Sequence, residues 1–89
     1  MSLEKLRSEI SDIDSRIVKL LFKRMELSHR IGVHKKLNGL SIRDTSRELE
    51  ILEKVCDPAP PDQKEYIKRI YEKIMEVSRE YQADIMGEE

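Results

Sequence analysis

Arg24 stands where the pattern of the chain calls for a leucine. Leu3, Leu6, Ile10, Ile13, Ile17, Leu20, Arg24, Leu27 and Ile31 follow at steps of three and four residues, the spacing of a single helix face. A guanidinium on such a face must leave water, which is costly unless an anion meets it. That anion is either a protein carboxylate or a ligand. Ser28 and Lys35, four and eleven residues further on, return to nearly the same side and favour a ligand. At about 1.5 Å rise per residue, Arg24 and Lys35 lie ~16 Å apart along the axis, and both side chains are long enough to lean inward. The gap suits a small dianion. Taken alone, Arg24 is equally well explained by an internal salt bridge or a solvated helix end, so the other segments must decide.

The element carrying these residues is unusually long. No proline interrupts the chain from Ser2 to about Leu37, where Asn38 and Gly39 give a stop signal. A helix of that length reaches roughly 50 Å, whereas a compact domain of this size has a radius of gyration near 12 Å. The helix must overhang its own domain. Its apolar stripe then needs a second chain, and the commonest arrangement is a two-fold, antiparallel homodimer.

A second helix follows Asp44, Thr45 and Ser46, three potential N-caps, with Glu48 spaced to close a capping box with Thr45. Its apolar face is Ile51, Leu52 and Val55, and Glu48 shares that face as another inward charge. Asp57, Pro58, Ala59, Pro60 and Pro61 form a rigid corner. Asp62 with Glu65 offers the cap of a third helix ending near Met86, before a Gly87–Glu89 tail expected to fray. The expected apolar stripe there is Ile67, Ile70, Tyr71, Ile74, Val77 and Tyr81, with Ser78 and Gln82 following Ile74 at four-residue steps. A lone helix serine is ordinarily explained by a bond to its own backbone. The recurrence carries the argument, since all three helices place polar groups on or beside the face that should be packed.

Composition narrows the classes. Eighty-nine residues make one domain, residues 1–89, without repeats or linkers. The 17 basic and 18 acidic residues nearly cancel, unlike a nonspecific nucleic-acid binder. Between Arg16 and Lys36, however, seven bases face the single acid Glu26, a local surplus that needs an anionic partner or ligand. Cys56 is the only cysteine, which excludes an intrachain disulfide and points to a reducing, cytoplasmic compartment. No segment has the apolar length of a membrane span, and the first residues lack a signal-peptide core. His29 and His34 have neither metal-ligand spacing nor a nucleophilic partner.

The run Leu6-Arg7, Ile10, Asp14, Leu20-Leu21, Arg24, Glu26-Leu27, Gly32 and Lys35, followed by Arg43-Asp44, Arg47-Glu48 and Ser78 with Gln82, resembles the all-helical class of chorismate mutase. The resemblance spans nearly the whole chain and fixes polar residues on three separate helices. It implies an all-α, intertwined homodimer of three helices per chain, with two sites that each draw on both chains. It also implies the Claisen rearrangement of chorismate to prephenate, on the route to phenylalanine and tyrosine, with no metal or organic cofactor. By the same resemblance, Arg24 and the partner chain's Arg7 would clamp the two substrate carboxylates, with Ser78 assisting at one of them. Lys35 and Gln82 would donate to the ether oxygen, and Glu48 and the backbone at Asp44 would hold the ring hydroxyl. Arg47 and Arg43 would be supporting charges. Arg7 lies about 25 Å from Arg24 along the helix at ~1.5 Å per residue, so only an antiparallel partner brings both to one ligand. Two other readings remain at this point: an isochorismate pyruvate lyase on the same fold, and a noncatalytic helical module that binds anions or nucleic acid through the basic half of helix one, for which aromatic side chains are sparse.

Overall fold

Ser2 opens the first helix. Its Oγ accepts the backbone N–H of Lys5 at 3.1 Å, satisfying one of the donors that a helix start leaves unpaired. From there α1 runs unbroken over Leu3–Leu37. In this computed structural model, which describes residues 2–87, α2 spans Thr45–Cys56 and α3 spans Lys64–Met86, with no strand among the described residues. The chain is all-α, as the sequence pattern requires. No helix is long and apolar enough to cross a membrane.

The helix ends match the sequence in part. Asn38 caps α1 and Gly39 takes the left-handed conformation, with φ of 64°. The N–H of Leu40 reaches back to the Lys35 carbonyl at 2.9 Å and that of Gly39 to Lys36 at 3.4 Å, a Schellman closure. Among the three capping candidates for α2, Asp44 does the capping, its Oδ1 accepting the Arg47 N–H at 3.0 Å. Thr45 is already helical, so the expected Thr45–Glu48 box does not form and the Glu48 carboxylate is free to turn toward α3. Asp62 is not the cap of α3. Gln63 holds that position without a side-chain bond, because the Pro60 carbonyl accepts the N–H groups of both Gln63 and Lys64, at 2.9 and 3.2 Å. The turn after the prolines thus supplies a backbone acceptor in place of a side chain. Gly87 ends α3 as a left-handed cap with φ of 75°, and the rest of the tail expected to fray, Glu88 and Glu89, lies outside the described residues.

α3 packs against both α1 and α2 and is the element that joins them. Only the C-terminal part of α1 takes part, since every residue from Ser2 to Leu20 is exposed on this chain. The molecule measures 54 × 25 × 19 Å, and its radius of gyration of 16.1 Å exceeds the ~12 Å of a compact chain of this length. The seam from Leu3 to Leu20 therefore projects with nothing of its own chain against it.

Met75 is the one buried apolar side chain among the described residues; the other buried side chains are Ser28, Ser78 and Gln82. The buried line of α3 is therefore rotated from the expected stripe. Ile70 and Val77 are exposed, while Met75, Ser78 and Gln82 face inward, because α3 must serve α1 and α2 at once. At the α1–α3 crossing Gly32 faces Gln82 so closely that a Cβ on Gly32 would lie 3.3 Å from Gln82 Cγ and 3.5 Å from its Cα. Glycine here is a matter of space.

Candidate active site

The C-terminal part of α1, the start of α2 and the second half of α3 enclose a cavity of about 450 Å³, within the usual size range for small-molecule sites. Arg24, Ser28 and Lys35 contribute from α1, Ser78 and Gln82 from α3, and Asp44, Arg47 and Glu48 from the α2 end. Seven of the nine residues to which the resemblance gives a role thus meet at one place. Arg43 stands beside the cavity, its Nε 4.0 Å from Glu48 Oε1, and Arg7 lies on the projecting part of α1, away from the cavity, and belongs to no site built from this chain alone.

Four polar side chains form one connected chain. Lys35 Nζ donates to Gln82 Oε1 at 3.2 Å and also to the backbone oxygen of Ile42, which ties the loop after α1 to the site. Gln82 Nε2 donates to Ser28 Oγ at 3.1 Å, and Ser28 and Ser78 share a hydrogen bond of 2.6 Å. The direction of the chain is dictated by Lys35. An ammonium has only donors, so it must meet the amide oxygen of Gln82, which turns the amide nitrogen to Ser28. Ser28 then accepts from Gln82, and because a hydroxyl oxygen accepts twice either serine can donate the bond between them, which leaves the other's proton free. One N–H of Gln82 and one of Lys35 also stay uncommitted. The arrangement presents three donors and three buried side chains with no unsatisfied buried polar atom among the described residues.

Arg24 is half-buried at the cavity wall, and no carboxylate pairs with it among the described residues. Among the described residues, then, no internal salt bridge accounts for its position. Glu48 is pinned by Arg79, whose NH1 donates to Oε1 at 2.5 Å, with Arg43 Nε 4.0 Å from the same oxygen. Arg47 is placed less centrally than the sequence implies: its guanidinium pairs with Glu50 at 3.3 Å in an exposed position at the rim. One oxygen of the Asp44 carboxylate, Oδ1, is committed to the helix cap.

Sequence reasoning placed Ser28 on the polar stripe without giving it a contact, and it missed Arg79 and Met75. A signal for Arg79 existed. An inward-facing Glu48 calls for a base on a facing helix, and Arg79 is the sole base on α3 after Lys73. Four cations, Arg24, Lys35, Arg47 and Arg79, line the cavity against the two carboxylates of Asp44 and Glu48, leaving a surplus of two positive charges. Such a surplus would balance a small dianion, and the uncommitted donors beside it could meet its oxygens.

Comparison with known proteins agrees with this geometry. The profile of the family described as chorismate mutase type II matches residues 6–83. The chain is 40% identical over 78 residues to the bifunctional chorismate mutase/prephenate dehydratase of Buchnera aphidicola subsp. Schizaphis graminum, an overlap of 85% of this chain and 20% of that protein. The enzymes of the same name from Aquifex aeolicus and Escherichia coli K12 are 45% and 33% identical over 53 and 75 residues, covering 60% and 82% of this chain and 15% and 19% of theirs. The chain therefore spans about a fifth of the length of these relatives or less. No solved structure gives a significant match. With its cavity residues lying inside the matched span, this chain belongs to the type II chorismate mutase family.

Proposed function

We propose that the chain catalyses the rearrangement of chorismate to prephenate, in phenylalanine and tyrosine synthesis, as a cytoplasmic homodimer with shared sites. The observation that carries this reading is the convergence of Arg24, Lys35, Ser78 and Gln82 on one cavity with a surplus of two positive charges. Chorismate is a dicarboxylate, and that surplus balances it. Arg24 grips one carboxylate from this chain, with Ser78 donating the proton that the serine pair leaves free. Arg7 of the partner chain grips the other, since an antiparallel partner laid on the Leu3–Leu20 seam brings its own N-terminal turns to the open side of the cavity.

The reaction breaks a C–O bond and forms a C–C bond within one molecule, so the site needs no nucleophile and moves no proton. Its task is to hold the enolpyruvyl side chain over the ring and to meet the negative charge that grows on the ether oxygen. Lys35 and Gln82 each retain an N–H for that oxygen. Glu48 accepts from the ring hydroxyl, and the backbone at Asp44 supports it. A rate enhancement of a million-fold corresponds to about 8 kcal/mol. One preorganised donor of this kind contributes on the order of 3 kcal/mol, so the two donors together with orientation reach that scale.

The test is incubation of the purified chain with chorismate, and separately with isochorismate, with products identified by chromatography and mass. Prephenate from chorismate is the expected result. Release of pyruvate from isochorismate, with chorismate untouched, would replace the reading by that of a lyase.

A further inference from the structure

We infer that Arg79 is a positioning residue for Glu48, one that lets a carboxylate serve in a cavity built to receive a dianion; this rests on the function proposed above. The Arg79–Glu48 pair is the most sheltered ion pair among the described residues, with side-chain exposures of 26% and 17%. Each of the other four pairs has a partner more than 60% exposed. Arg79 also lines the cavity and follows Ser78 directly in α3. The pair therefore sits where α2 and α3 meet the ligand space.

Two features of the geometry give the pair a role beyond joining helices. Both neighbouring cations, Arg79 at 2.5 Å and Arg43 at 4.0 Å, lie on Oε1, and Oε2 has no hydrogen-bond partner among the described residues. A carboxylate turns freely about its last torsion. Fixing one oxygen fixes the other, which is then presented to a ligand hydroxyl. The second feature is charge. Without Arg79, the ionised Glu48 would face a bound dianion with only the more distant Arg43 to offset it, and like charges in a sheltered site repel strongly.

That repulsion acts on bound substrate and transition state alike, because both keep the two carboxylates, so its removal should appear in KM more than in kcat. A pair that merely joined α2 to α3 would show itself in thermal stability instead. The experiment is steady-state kinetics with chorismate, with thermal melts in parallel, on wild type, Arg79→Ala, Arg79→Lys, Glu48→Gln and the double variant Arg79→Ala/Glu48→Gln. Arg79→Ala should raise KM about tenfold, equivalent to ~1.4 kcal/mol, with kcat changed much less. Arg79→Lys should keep KM near the wild-type value. In the Glu48→Gln background, where no charge is left to neutralise, Arg79→Ala should leave KM almost unmoved.

Two kinetic outcomes overturn the inference. One is a wild-type KM in Arg79→Ala; the other is an equal rise in KM with and without the Glu48 charge, which would mean that Arg79 meets the substrate itself. If Arg79→Ala does not fold, Arg79→Gln, which keeps most of the side-chain bulk, carries the same comparison. A wild type that consumes no chorismate would overturn the proposed function, whereas an active wild type with an unresponsive Arg79 overturns only the role given to that residue.

Discussion

Replacing Gly32 with alanine tests whether the approach of α1 to α3 sets the geometry of the donors. Gly32 has ordinary helical backbone, so alanine is allowed there by conformation, and only space opposes it. The new Cβ would stand 3.3 Å from Gln82 Cγ and 3.5 Å from both Cα and Cβ of Gln82. Carbon atoms settle at about 3.5–4.0 Å, so Gln82 must retreat by roughly 0.4 Å. The Cα and Cβ distances are ordinary contacts, so the one atom that must give is Cγ, and the side chain that carries the amide shifts with it. The Lys35–Gln82 bond, already 3.2 Å, would then stretch to the edge of hydrogen bonding. A misplacement of 1 Å can cost ~100-fold in rate, and about half that shift corresponds to roughly tenfold in kcat. Stability should fall only modestly, by about 0–2 kcal/mol, since about 1 kcal/mol gained from replacing a helical glycine opposes about 1–3 kcal/mol of overpacking. The assay pairs kcat from chorismate loss with Tm from a calorimetric melt. The expected result is a tenfold lower kcat with Tm lowered by no more than about 10 °C. A raised Tm with kcat intact would refute the reasoning, because the crossing would then take up the added methyl without harm to the site.

Arg24→Ala should lose nearly all turnover yet melt at or above the wild-type temperature, since Arg24 has no carboxylate partner among the described residues to lose; a strongly lowered Tm in the absence of ligand would place its partner within the protein. Arg7→Ala and Lys35→Ala should each be inactive alone and partly active after refolding together, because one site of a mixed dimer keeps both groups. A mixture that stays inactive counts against shared sites, as does light scattering that finds a fully active monomer. Gln82→Glu should need acid to work, since only a protonated carboxyl replaces the amide donor and free glutamate ionises near pH ~4.3; the measurement is kcat/KM against pH, and a profile like that of the wild type would remove Gln82 from the breaking bond.

Much of the site could be read from sequence because helices impose a strict angular code. The steps that place Arg24 among leucines also place Ser28 and Lys35 on its side, and the structure brings all three to one cavity. The end of α1 was equally readable, since Asn38-Gly39 is a chemical stop that needs no tertiary context. What could not be read depends on contacts between elements. The start of α3 is set by the Pro60 carbonyl, a backbone acceptor that leaves no mark in side-chain type. The burial of Met75 in preference to Val77 depends on how α3 divides its circumference between two neighbours, which one helix's periodicity does not contain. Arg79 was hidden for a related reason: a base on an amphipathic helix is ordinarily solvated, and only its partner across the groove shows otherwise.

With Ser28, Ser78 and Gln82 making up most of its buried side chains, the folded chain has almost no interior distinct from its cavity. A scan of every substitution would accordingly give maps of tolerance for folding and for turnover that overlap on these helix faces rather than separating into a core and a site. Stabilising changes would have to be sought elsewhere, on the solvent sides of α2 and α3, away from the cavity. The same economy bounds neutral drift: a hydroxyl or amide at these three positions could be exchanged only together with its hydrogen-bonded neighbours, so paths to altered activity on this scaffold should run through paired replacements instead of single ones.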